Sequence, residues 1–248
     1  MKTYFLLHPS QLLKKSYYSA FADLGKIGVV ANTGDENSTE KLIALAVRDG
    51  YERIIVVGGD GTLNRTITEI IKLGANEKIV VGILPAGTCN DFARAIGLKH
   101  LRGAVIKNII SEGKVKKIDI GLMNGEYFIN NSGFGRSYEN FVNKSSSFKT
   151  LLSFKPINLT AEWNDGQLKG SFLMMLVCNA PYFSGGFHFS KKPRINDGLL
   201  DIYFVKPVSK INLVLKFAKG KFGMPIADRD ITYIKTNKIE VTTENSVF

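Results

Sequence analysis

The feature that most constrains the fold is a turn at residues 58–61 that joins an apolar run to an amphipathic one, in the stretch IIVVGGDGTLNRTITEII. The apolar run before the turn has the length and composition of a buried β-strand. The apolar residues after it recur at helical spacing, at Leu63, Ile67, Ile70 and Ile71. A strand that leads through glycine into a helix is the basic unit of an α/β protein with a parallel sheet.

The first half of the chain repeats this unit. We predict buried strands at residues 4–7, 27–30, 54–57 and 79–84. Between two of them, Asn37 and Glu40 have the spacing of a capping box at a helix start. A further helical stripe lies at residues 105–110. Strands that alternate with helices in this way predict an α/β layer with a mostly parallel sheet.

The second half, from about residue 120, has a different pattern. Strand-like runs follow one another with little helix between them, namely KIDIGLM, EYFINNS, INLTAEW, SFLMMLVCNA, LLDIYFV and DITYIKTNKIEVTT. WNDGQL predicts a hairpin with Asp165-Gly166 at its turn, and residues 211–218 predict the one clear helix. We therefore expect an α/β domain at residues 1–120 and a mostly antiparallel β domain at residues 121–248.

Bulk properties exclude some classes of protein and leave others open. No apolar run nears the ~20 residues of a membrane-spanning helix, and the N-terminus lacks a signal-peptide pattern, so we expect a cytoplasmic protein. Cys89 and Cys178 are the only cysteines, too few for a disulfide framework or a four-ligand zinc site. The net charge of +11 fits nucleic acid, an anionic membrane, phosphorylated small molecules or a merely solvated basic surface.

The glycine turn suits a phosphate group, yet it also carries a negative charge. Gly58, Gly59 and Gly61 permit close backbone approach, and the helix start would offer free N–H groups and a positive dipole end. A tight strand-to-helix turn would select glycine as well. Asp60 would repel a phosphate charge by about 4 kcal/mol at ~4 Å and an effective dielectric of about 20. A Mg²⁺ ion between the two groups removes this conflict, so Asp60 points to metal-dependent phosphoryl chemistry.

A second turn, in VVGILPAGTCNDFARAIGL, repeats the design. Gly87-Thr88 follows a predicted strand, and Asn90-Asp91 precedes a predicted helix, where either residue would also serve as an ordinary helix cap. In a parallel sheet both turns lie at the carboxyl ends of their strands, where the ligands of open α/β folds bind. Two Gly-Thr turns that each carry an aspartate therefore predict one shared crevice.

These segments together resemble the diacylglycerol kinase catalytic family, which includes bacterial diacylglycerol kinases and sphingosine-kinase-like lipid kinases. GGDGTLN and PAGTCNDFAR match its nucleotide loops, and KKIDIGLMNGEYFINNSGFG and CNAPYFSGGFHFSKKPRINDGLLDIYFV match later segments, in order along nearly the whole chain. The resemblance implies a Rossmann-like α/β nucleotide-binding domain followed by a mostly antiparallel β-sandwich domain, with the site between them. It implies an ATP- and Mg²⁺-dependent lipid kinase that phosphorylates a lipid hydroxyl, with diacylglycerol as the leading acceptor.

The family's functional residues carry over to matching positions of this chain. The implied catalytic aspartates, joined by a magnesium–water network, are Asp60, Asp91 and Asp119. The implied nucleotide contacts are His8, Pro9, Ser10, Thr33, Gly58, Gly59, Asp60, Gly61, Thr62, Leu63, Asn64 and Thr88. The resemblance also implies a structural Mg²⁺ bound by the Asp197 side chain and by the backbone carbonyls of Arg194 and Leu199. Taken alone, Asp119 could be an ordinary strand-end carboxylate and Asp197 part of an Asp-Gly turn.

Three departures from the family pattern affect these expectations. The usual Asn-Pro-x-Ser-Gly turn reads HPSQL at residues 8–12, and Arg65 stands where the family commonly has glutamate. The family's catalytic base, in an Asp-Gly-Glu segment after the last hairpin, has no counterpart before Phe248. From this we expect a chain that lacks the C-terminal segment, and loss of a general base typically costs roughly 10²–10⁴-fold in rate.

Other interpretations stay open beside the lipid kinase. The absent base and Arg65 favour a pseudokinase that binds nucleotide or lipid without turnover. An NAD kinase also carries a Gly-Gly-Asp-Gly turn, although CNDFAR fits the lipid kinases better. Nucleic acid is disfavoured, because no aromatic and basic platform stands out. The expected partners are a lipid alcohol and, through peripheral contact, an anionic membrane, and a homodimer is left open.

Overall fold

The computed structural model describes residues 1–8, 24–34, 36–98, 113–134, 155–189, 193–221, 224 and 229–243. The chain divides into two compact units, Met1–Lys117 and Ile118–Phe248. Each unit is built around its own sheets, and each is described by itself below. The helix predicted at residues 105–110 lies outside the described residues.

Unit 1 contains a four-stranded parallel sheet in the order β2-β1-β3-β4. Its strands are β1 (Thr3–Leu7), β2 (Val29–Asn32), β3 (Arg53–Gly58) and β4 (Val80–Pro85). The two central strands are almost wholly buried, since every residue of β1 and five of the six in β3 are shielded from solvent. Continuous apolar runs of this kind are what a parallel sheet covered on both faces requires. The α/β architecture predicted for this half is confirmed.

The edge strand β2 differs from its prediction in position and burial. The strand begins at Val29, two residues after the predicted start, and Val29 and Val30 are exposed. Among the described strands β2 pairs with β1 alone, so it lies at the edge of the described sheet. An apolar run alone does not reveal whether a strand is central or at an edge. The prediction of a buried strand at residues 27–30 was therefore wrong.

Three helices of unit 1 are described: α1 (Glu36–Arg48), α2 (Asp60–Lys72) and α3 (Asp91–Ala95). The inward face of α2 is lined by Leu63, Thr66, Ile67 and Ile70, much as the helical spacing predicts, although Ile71 is only half-buried. The start of α1 differs from the predicted position. Since α1 begins at Glu36, Asn37 is already a helical residue instead of the cap before the helix.

Unit 2 is mostly antiparallel sheet. One sheet has the order β12-β11-β10-β7, a second has the order β13-β8-β9, and β5 and β6 form a separate hairpin. These strands and the helix α4 are β5 (Gly121–Met123), β6 (Glu126–Phe128), β7 (Asn131–Phe134), β8 (Ile157–Trp163), β9 (Gly166–Phe172), β10 (Met174–Cys178), β11 (Leu200–Val205), α4 (Lys210–Lys221), β12 (Ile231–Thr236) and β13 (Ile239–Thr243).

The two larger sheets of unit 2 share a hydrophobic core, which makes them a sandwich. Leu159 and Phe172 from the three-stranded sheet lie in one buried cluster with Met175, Val177 and Phe204 from the four-stranded sheet. On the other face of β10, Met174, Leu176 and Cys178 belong to a second cluster. Because both faces of β10 are buried, its sequence MMLVC is continuously apolar. The predicted antiparallel β-sandwich is confirmed.

Local predictions in unit 2 were wrong in two ways. Three of the predicted runs, EYFINNS, SFLMMLVCNA and DITYIKTNKIEVTT, each join two strands that belong to different sheets. The run SFLMMLVCNA contains a break at Leu173, which separates the end of β9 from the start of β10, and these strands belong to different sheets. In WNDGQL the turn is formed by Asn164 and Asp165, because Gly166 already pairs with Trp163 in the ladder. The helix predicted at residues 211–218 is α4, which extends beyond that range at both ends.

Candidate functional site

The two glycine turns of unit 1 lie side by side because their strands are neighbours. β3 and β4 are parallel and paired in register, with Gly58 opposite Pro85 at their last residues. The N–H of Ala86 then donates a hydrogen bond of 2.9 Å to the carbonyl oxygen of Gly58, which extends the ladder past both strands. The sequence-based expectation that both turns meet at one sheet edge is therefore met within this unit.

Glycine at positions 59 and 87 is required by the contact between the two turns. A Cβ on Gly87 would lie 2.4 Å from the Gly59 Cα, and a Cβ on Gly59 would lie 3.0 Å from the Gly87 Cα. Backbone therefore packs directly on backbone at this point. These two glycines have a structural reason to be glycine, independent of any ligand.

Gly61 has no such reason. Apart from the backbone of α2 itself, a Cβ at Gly61 would meet no atom of the described residues within 4 Å. Gly61 is exposed, and its φ is not in the left-handed region. Alanine is a better helix former than glycine by about 1 kcal/mol. A glycine here leaves open space directly beside the first turn of α2.

Asp60 connects the two turns through its carboxylate. Its Oδ2 accepts a hydrogen bond of 3.0 Å from the N–H of Asp91, and its Oδ1 accepts one of 2.8 Å from the N–H of Phe92. These donors belong to the first turn of α3, which has no side-chain cap of its own. Asp60 thus caps α3 from the neighbouring turn, in addition to any part it has in binding a metal.

Asn90 stabilises the second turn instead of capping α3. Its backbone is left-handed, with a φ of 52°, and its side chain faces back along the turn. The N–H of Gly87 donates to Asn90 Oδ1 and Asn90 Nδ2 donates to the carbonyl oxygen of Gly87, both at 2.8 Å. Asparagine tolerates this backbone conformation better than most residues. The turn therefore holds its shape without a ligand.

The start of α2 is the part of unit 1 best suited to bind an anion. The residue before the helix, Gly59, provides no side-chain cap, so the first N–H groups of a helix of 13 residues are not used by a capping side chain. Thr62 and Asn64 are half-buried beside it, and Thr88 of the second turn is exposed. Leu63 is different, because its side chain is buried in the core and its N–H donates to the Gly59 carbonyl oxygen.

The remaining residues expected to bind nucleotide differ from one another in burial and in the hydrogen bonds that they already form. Thr33 is buried, and its hydroxyl and its N–H both donate to the carbonyl oxygen of Leu7, at 3.2 and 2.9 Å. The hydroxyl proton of Thr33 is thus already used within unit 1. His8 is exposed and its N–H donates to the Val57 carbonyl oxygen. Pro9 and Ser10 lie outside the described residues.

Two further side chains lie next to these turns. Arg65, where the resembled family commonly has glutamate, is exposed on the second turn of α2. Cys89, in the second turn, is half-buried, and burial raises the pKa of its thiol, with further increases from the carboxylates of Asp91 and Asp60. The site therefore combines a helix N-terminus with a local excess of negative charge at Asp60 and Asp91.

In unit 2, Asp119 is held in place by three hydrogen bonds. Its N–H donates to the Ile195 carbonyl oxygen at 2.7 Å, and its Oδ2 accepts from the N–H of Gly198 at 2.7 Å. Its own carbonyl oxygen accepts from Asn179 Nδ2 at 2.8 Å. Asp119 is therefore brought together with the 194–199 segment, which carries the residues expected to bind a structural metal.

Asn179 connects several backbone segments of unit 2, and the sequence analysis did not single it out. It is fully buried, and its Nδ2 donates to the carbonyl oxygens of both Asp119 and Ile129. Its N–H donates to the Asn130 carbonyl oxygen at 2.8 Å. The one signal in the sequence that could have indicated this role is an amide side chain directly after the apolar strand β10.

Asp197 lies in a small charged cluster. Lys235 Nζ donates to Asp197 Oδ2 at 2.7 Å and lies 3.7 Å from Asp201 Oδ2. The Tyr233 hydroxyl donates to Asp201 Oδ1 at 2.6 Å. Burial raises the pKa of Asp201, and it also raises the pKa of Tyr233. The charge of Asp197 is therefore partly balanced by Lys235.

The donors available to a divalent cation can be judged from these contacts. Among the described residues no group of three or more His, Cys, Asp or Glu side chains could hold a metal ion. A site at residues 194–199 would thus rest on the carboxylate of Asp197 together with backbone carbonyls. Such an all-oxygen set fits a hard cation such as Mg²⁺, which usually keeps several waters.

Comparison with known proteins agrees with this division of the chain. Residues 10–123 match the model described as diacylglycerol kinase catalytic domain. Residues 134–248 match the model described as YegS C-terminal NAD kinase beta sandwich-like domain. The chain belongs to the diacylglycerol kinase catalytic family. As a member of that family it is an enzyme of the lipid kinase class.

Relatives with curated names support the same family. A protein named diacylglycerol kinase from Bacillus subtilis is 27% identical over 98% of this chain and 82% of its own length. A protein named diacylglycerol kinase from Staphylococcus carnosus is 28% identical over 80% of this chain and 68% of its own length. A probable lipid kinase YegS-like from Chromohalobacter salexigens is 24% identical over 84% of this chain and 71% of its own length.

A solved structure supports the fold of this family member. The crystal structure described as a putative diacylglycerol kinase from Bacillus anthracis superposes with a TM-score of 0.80, at 23% identity, over 98% of this chain and 87% of that chain. At this level of identity the similarity establishes the fold. It agrees with the parallel sheet of unit 1 and the β-sandwich of unit 2.

Proposed function

We propose that the protein is an ATP- and Mg²⁺-dependent lipid kinase that transfers the γ-phosphoryl group to a lipid hydroxyl, with diacylglycerol as the leading acceptor. The observation that carries this proposal is the open space beside Gly61 at the uncapped start of α2. In the described part of unit 1, apart from the backbone of α2 itself, no atom lies within 4 Å of a Cβ built on Gly61, and a ligand that approaches the backbone would explain glycine there. A phosphate group suits the N–H groups of the first turn of α2 and the positive end of the helix dipole.

The nucleotide contacts that we propose follow this geometry. The phosphates would contact backbone at Gly59, Gly61 and Thr62, with hydroxyl donors from Thr62 and Thr88. A contact by Leu63 is proposed from the family resemblance alone, because its side chain is buried and its N–H already donates to the Gly59 carbonyl oxygen. Further contacts by His8, Pro9, Ser10, Thr33, Gly58, Asp60 and Asn64 remain proposals from the family resemblance.

Magnesium would resolve the charge conflict at the turns. Asp60, Asp91 and Asp119 are the aspartates that we propose for a magnesium–water network, and their oxygens are the ligand type that Mg²⁺ prefers. Bound Mg²⁺ supplies neutralisation of the charge on the transferring phosphoryl group. Asp60 and Asp91 would hold such an ion from the two turns of unit 1, while Asp60 continues to cap α3. The Asp197, Arg194 and Leu199 set is proposed for a second, structural ion.

In the proposed reaction the oxygen of the lipid hydroxyl forms a bond to the γ-phosphorus. The bond from that phosphorus to the β–γ bridging oxygen breaks, ADP leaves, and the hydroxyl proton is released. The choice of diacylglycerol rests on the names of relatives from Bacillus and Staphylococcus. Location in the cytoplasm with peripheral contact to an anionic membrane is part of the same proposal, and the net charge of +11 supports it.

A matched pair of alanine substitutions tests the phosphate site. Gly61→Ala should leave thermal stability unchanged or slightly raised, because its Cβ makes no close contact with the described residues outside α2. The same change should weaken ATP binding at least about tenfold. Gly87→Ala should lower stability by about 1–3 kcal/mol, because its Cβ overlaps Gly59. Calorimetric ATP titration and thermal unfolding measure the two effects. Unchanged ATP affinity in Gly61→Ala would contradict a phosphate at this turn.

The reaction itself is tested with labelled ATP and a panel of lipid alcohols that includes diacylglycerol and a sphingoid base. We expect transfer of label to diacylglycerol, dependent on Mg²⁺ and abolished by chelation. Tight ATP binding with no transfer to any lipid would overturn the kinase proposal and favour a nucleotide-binding protein without turnover. Transfer to NAD instead would favour the NAD kinase alternative.

A further inference from the structure

Helix α4 of unit 2 carries apolar side chains that face solvent. Ile211 is 74% exposed and Leu215 is 54% exposed, although both are large aliphatic residues. They are four residues apart and therefore lie on one face of the helix. Ala218, one turn further along, is exposed as well, and Met224 just after the helix is 47% exposed. Single exposed apolar residues are common on protein surfaces, but several on one face of a helix indicate a binding surface.

The charged side chains of α4 are all positive. Its sequence KINLVLKFAKGK contains four lysines and no acidic residue. Lys219 is exposed and lies about 80° around the helix from Ile211, beside the stripe. A helix with an apolar stripe bordered by lysine is suited to a surface that is apolar within and anionic outside.

The attachment of α4 to unit 2 fixes which face points outward. Lys216 Nζ donates to Asp230 Oδ2 at 2.7 Å, and the Lys216 side chain is only 18% exposed. The Asp230 carbonyl oxygen also accepts a bond from the N–H of Lys206, just after β11. Because Lys216 is held in this way, the stripe of Ile211 and Leu215 is presented to solvent.

We propose that the exposed face of α4 docks on the surface of an anionic lipid bilayer, with Ile211 and Leu215 inserted below the headgroups and Lys219 beside the lipid phosphates. A helix of 12 residues is about 18 Å long, too short to span a bilayer and suited to lie in its interface. No helix in the described part of the chain is long and apolar enough to cross a membrane. The inference rests on the proposed function in one respect, because a kinase that phosphorylates a membrane lipid has to contact the bilayer.

The first test measures binding to vesicles without any reaction. The full chain is sedimented with vesicles of phosphatidylcholine alone and with vesicles that also contain phosphatidylglycerol. We expect binding to the anionic vesicles, weakened by salt. Ile211→Ser with Leu215→Ser should reduce this binding at least about tenfold, because two inserted aliphatic side chains are lost. Leu122→Ser is the matched control, since Leu122 is a similarly exposed leucine, at 55%, that belongs to β5 instead of α4.

A second pair of variants tests the charge. Lys219→Glu and Lys169→Glu change the net charge equally, and Lys169 is exposed on β9. Only Lys219→Glu should weaken binding to anionic vesicles, by roughly 30-fold for two charge units at the surface. Circular dichroism confirms that each variant is folded. Equal loss in both variants would show that binding follows net charge alone and would overturn a role for α4.

The outcomes separate this inference from the proposed function. If the Ser variants phosphorylate short-chain diacylglycerol in detergent as the unchanged protein does, but fail on vesicles, α4 is the docking surface of an active kinase. If no lipid is phosphorylated while vesicle binding still depends on α4, the proposed function fails and the docking surface stands. Vesicle binding that is unaffected by the Ser variants overturns the inference.

A dimer held together by α4 would also overturn it. Conversion of a dimer to a monomer by the Ser variants, seen by light scattering, would show that a second copy covers the stripe.

Discussion

Asp60 shows how one side chain in a glycine turn can serve the fold and the proposed chemistry together. As an isolated charge beside a phosphate it is unfavourable, and from sequence its natural explanation was a metal ion. The structure adds a second explanation, because both carboxylate oxygens accept backbone N–H groups at the start of α3. A carboxylate held in this way is oriented before any ligand binds, which is what a site for a metal and a phosphate requires.

Replacement of Asp60 should therefore reduce stability even without a ligand. Asp60→Ala removes two hydrogen bonds to a charged acceptor, and we expect a loss of about 2–4 kcal/mol in the free energy of unfolding. Asp60→Asn should lose less, since its amide oxygen can still accept one bond. Urea unfolding followed by circular dichroism measures both, and Asp165→Ala in the exposed β8–β9 turn is the control. Full stability in Asp60→Ala would show that the carboxylate is not needed as a cap.

The thiol pKa of Cys89 depends in part on the negative charge of Asp60. Burial and the carboxylates of Asp91 and Asp60 raise the pKa of its thiol, so less thiolate is present at a given pH than in a free cysteine. We expect iodoacetamide to alkylate Cys89 more slowly than a small thiol at neutral pH, with a rate that keeps rising past the ordinary thiol pKa of about 8.5. Asp60→Asn should accelerate the reaction. Cys178 is buried and should stay unreactive in the folded protein, and mass spectrometry distinguishes the two. A rate at Cys89 equal to that of the small thiol would contradict this.

At the scale of elements, Asn179 ties together segments that are far apart in the chain. Its side chain connects the Asp119 carbonyl oxygen to that of Ile129, and its N–H binds at Asn130. The position of Asp119 therefore depends on a residue that contacts it only through backbone. Asn179 is fully buried in unit 2, and its role is to position Asp119.

Removal of the Asn179 amide should destabilise unit 2. Asn179→Ala leaves a cavity and two carbonyl oxygens without this donor, and we expect a loss of about 2–4 kcal/mol. Asn179→Asp, which has the same shape but cannot donate when ionised, should be at least as harmful. Fluorescence of Trp163, the only tryptophan and a residue of β8, reports the unfolding of this unit. Asn164→Asp in the exposed turn is the matched control, and equal stability of the two Asp variants would contradict the role of the buried amide.

Elements of this protein differ in how far their sequence predicts them. β1, β3 and α2 were found close to their predicted positions, because a buried strand or an amphipathic helix has a periodicity that burial itself imposes. The exposed β2 was not predicted correctly, since an apolar run does not reveal whether a second strand covers it. The break at Leu173 was missed because the residue is as apolar and as buried as its neighbours, so no polar residue marks the change of sheet.

The candidate site was predictable as a set of residues but not as a set of contacts. The two glycine turns could be placed together because parallel neighbouring strands end at one sheet edge. The backbone contact of Gly59 with Gly87 and the capping of α3 by Asp60 could not, because both depend on distances between the turns. The pairing of Asp197 with Lys235, which are 38 residues apart, follows from the order of β11 and β12 in the sheet.

At the scale of the whole molecule, the proposed tasks divide between the two units. The helix N-terminus and the glycine turns that would bind phosphate belong to Met1–Lys117, and α4 with its exposed stripe belongs to Ile118–Phe248. The two family models divide the chain in a similar way, at residues 10–123 and 134–248. Nucleotide binding and membrane docking should therefore be separable by substitution, because each depends on residues of one unit.

Hydrogen exchange with and without nucleotide tests this division directly. A ligand present at about one hundred times its Kd stabilises the protein that binds it by about 2.7 kcal/mol, so amides at the site should exchange up to about 100-fold more slowly. We expect the strongest protection by Mg²⁺-ATP at the start of α2 and in the turn after β4, because their N–H groups would contact the phosphates or be held by Asp60. The sheet β13-β8-β9 provides an internal reference that should change little. Protection centred on that sheet, with the two glycine turns unaffected, would place the nucleotide elsewhere and contradict the assignment of α2 as the phosphate site.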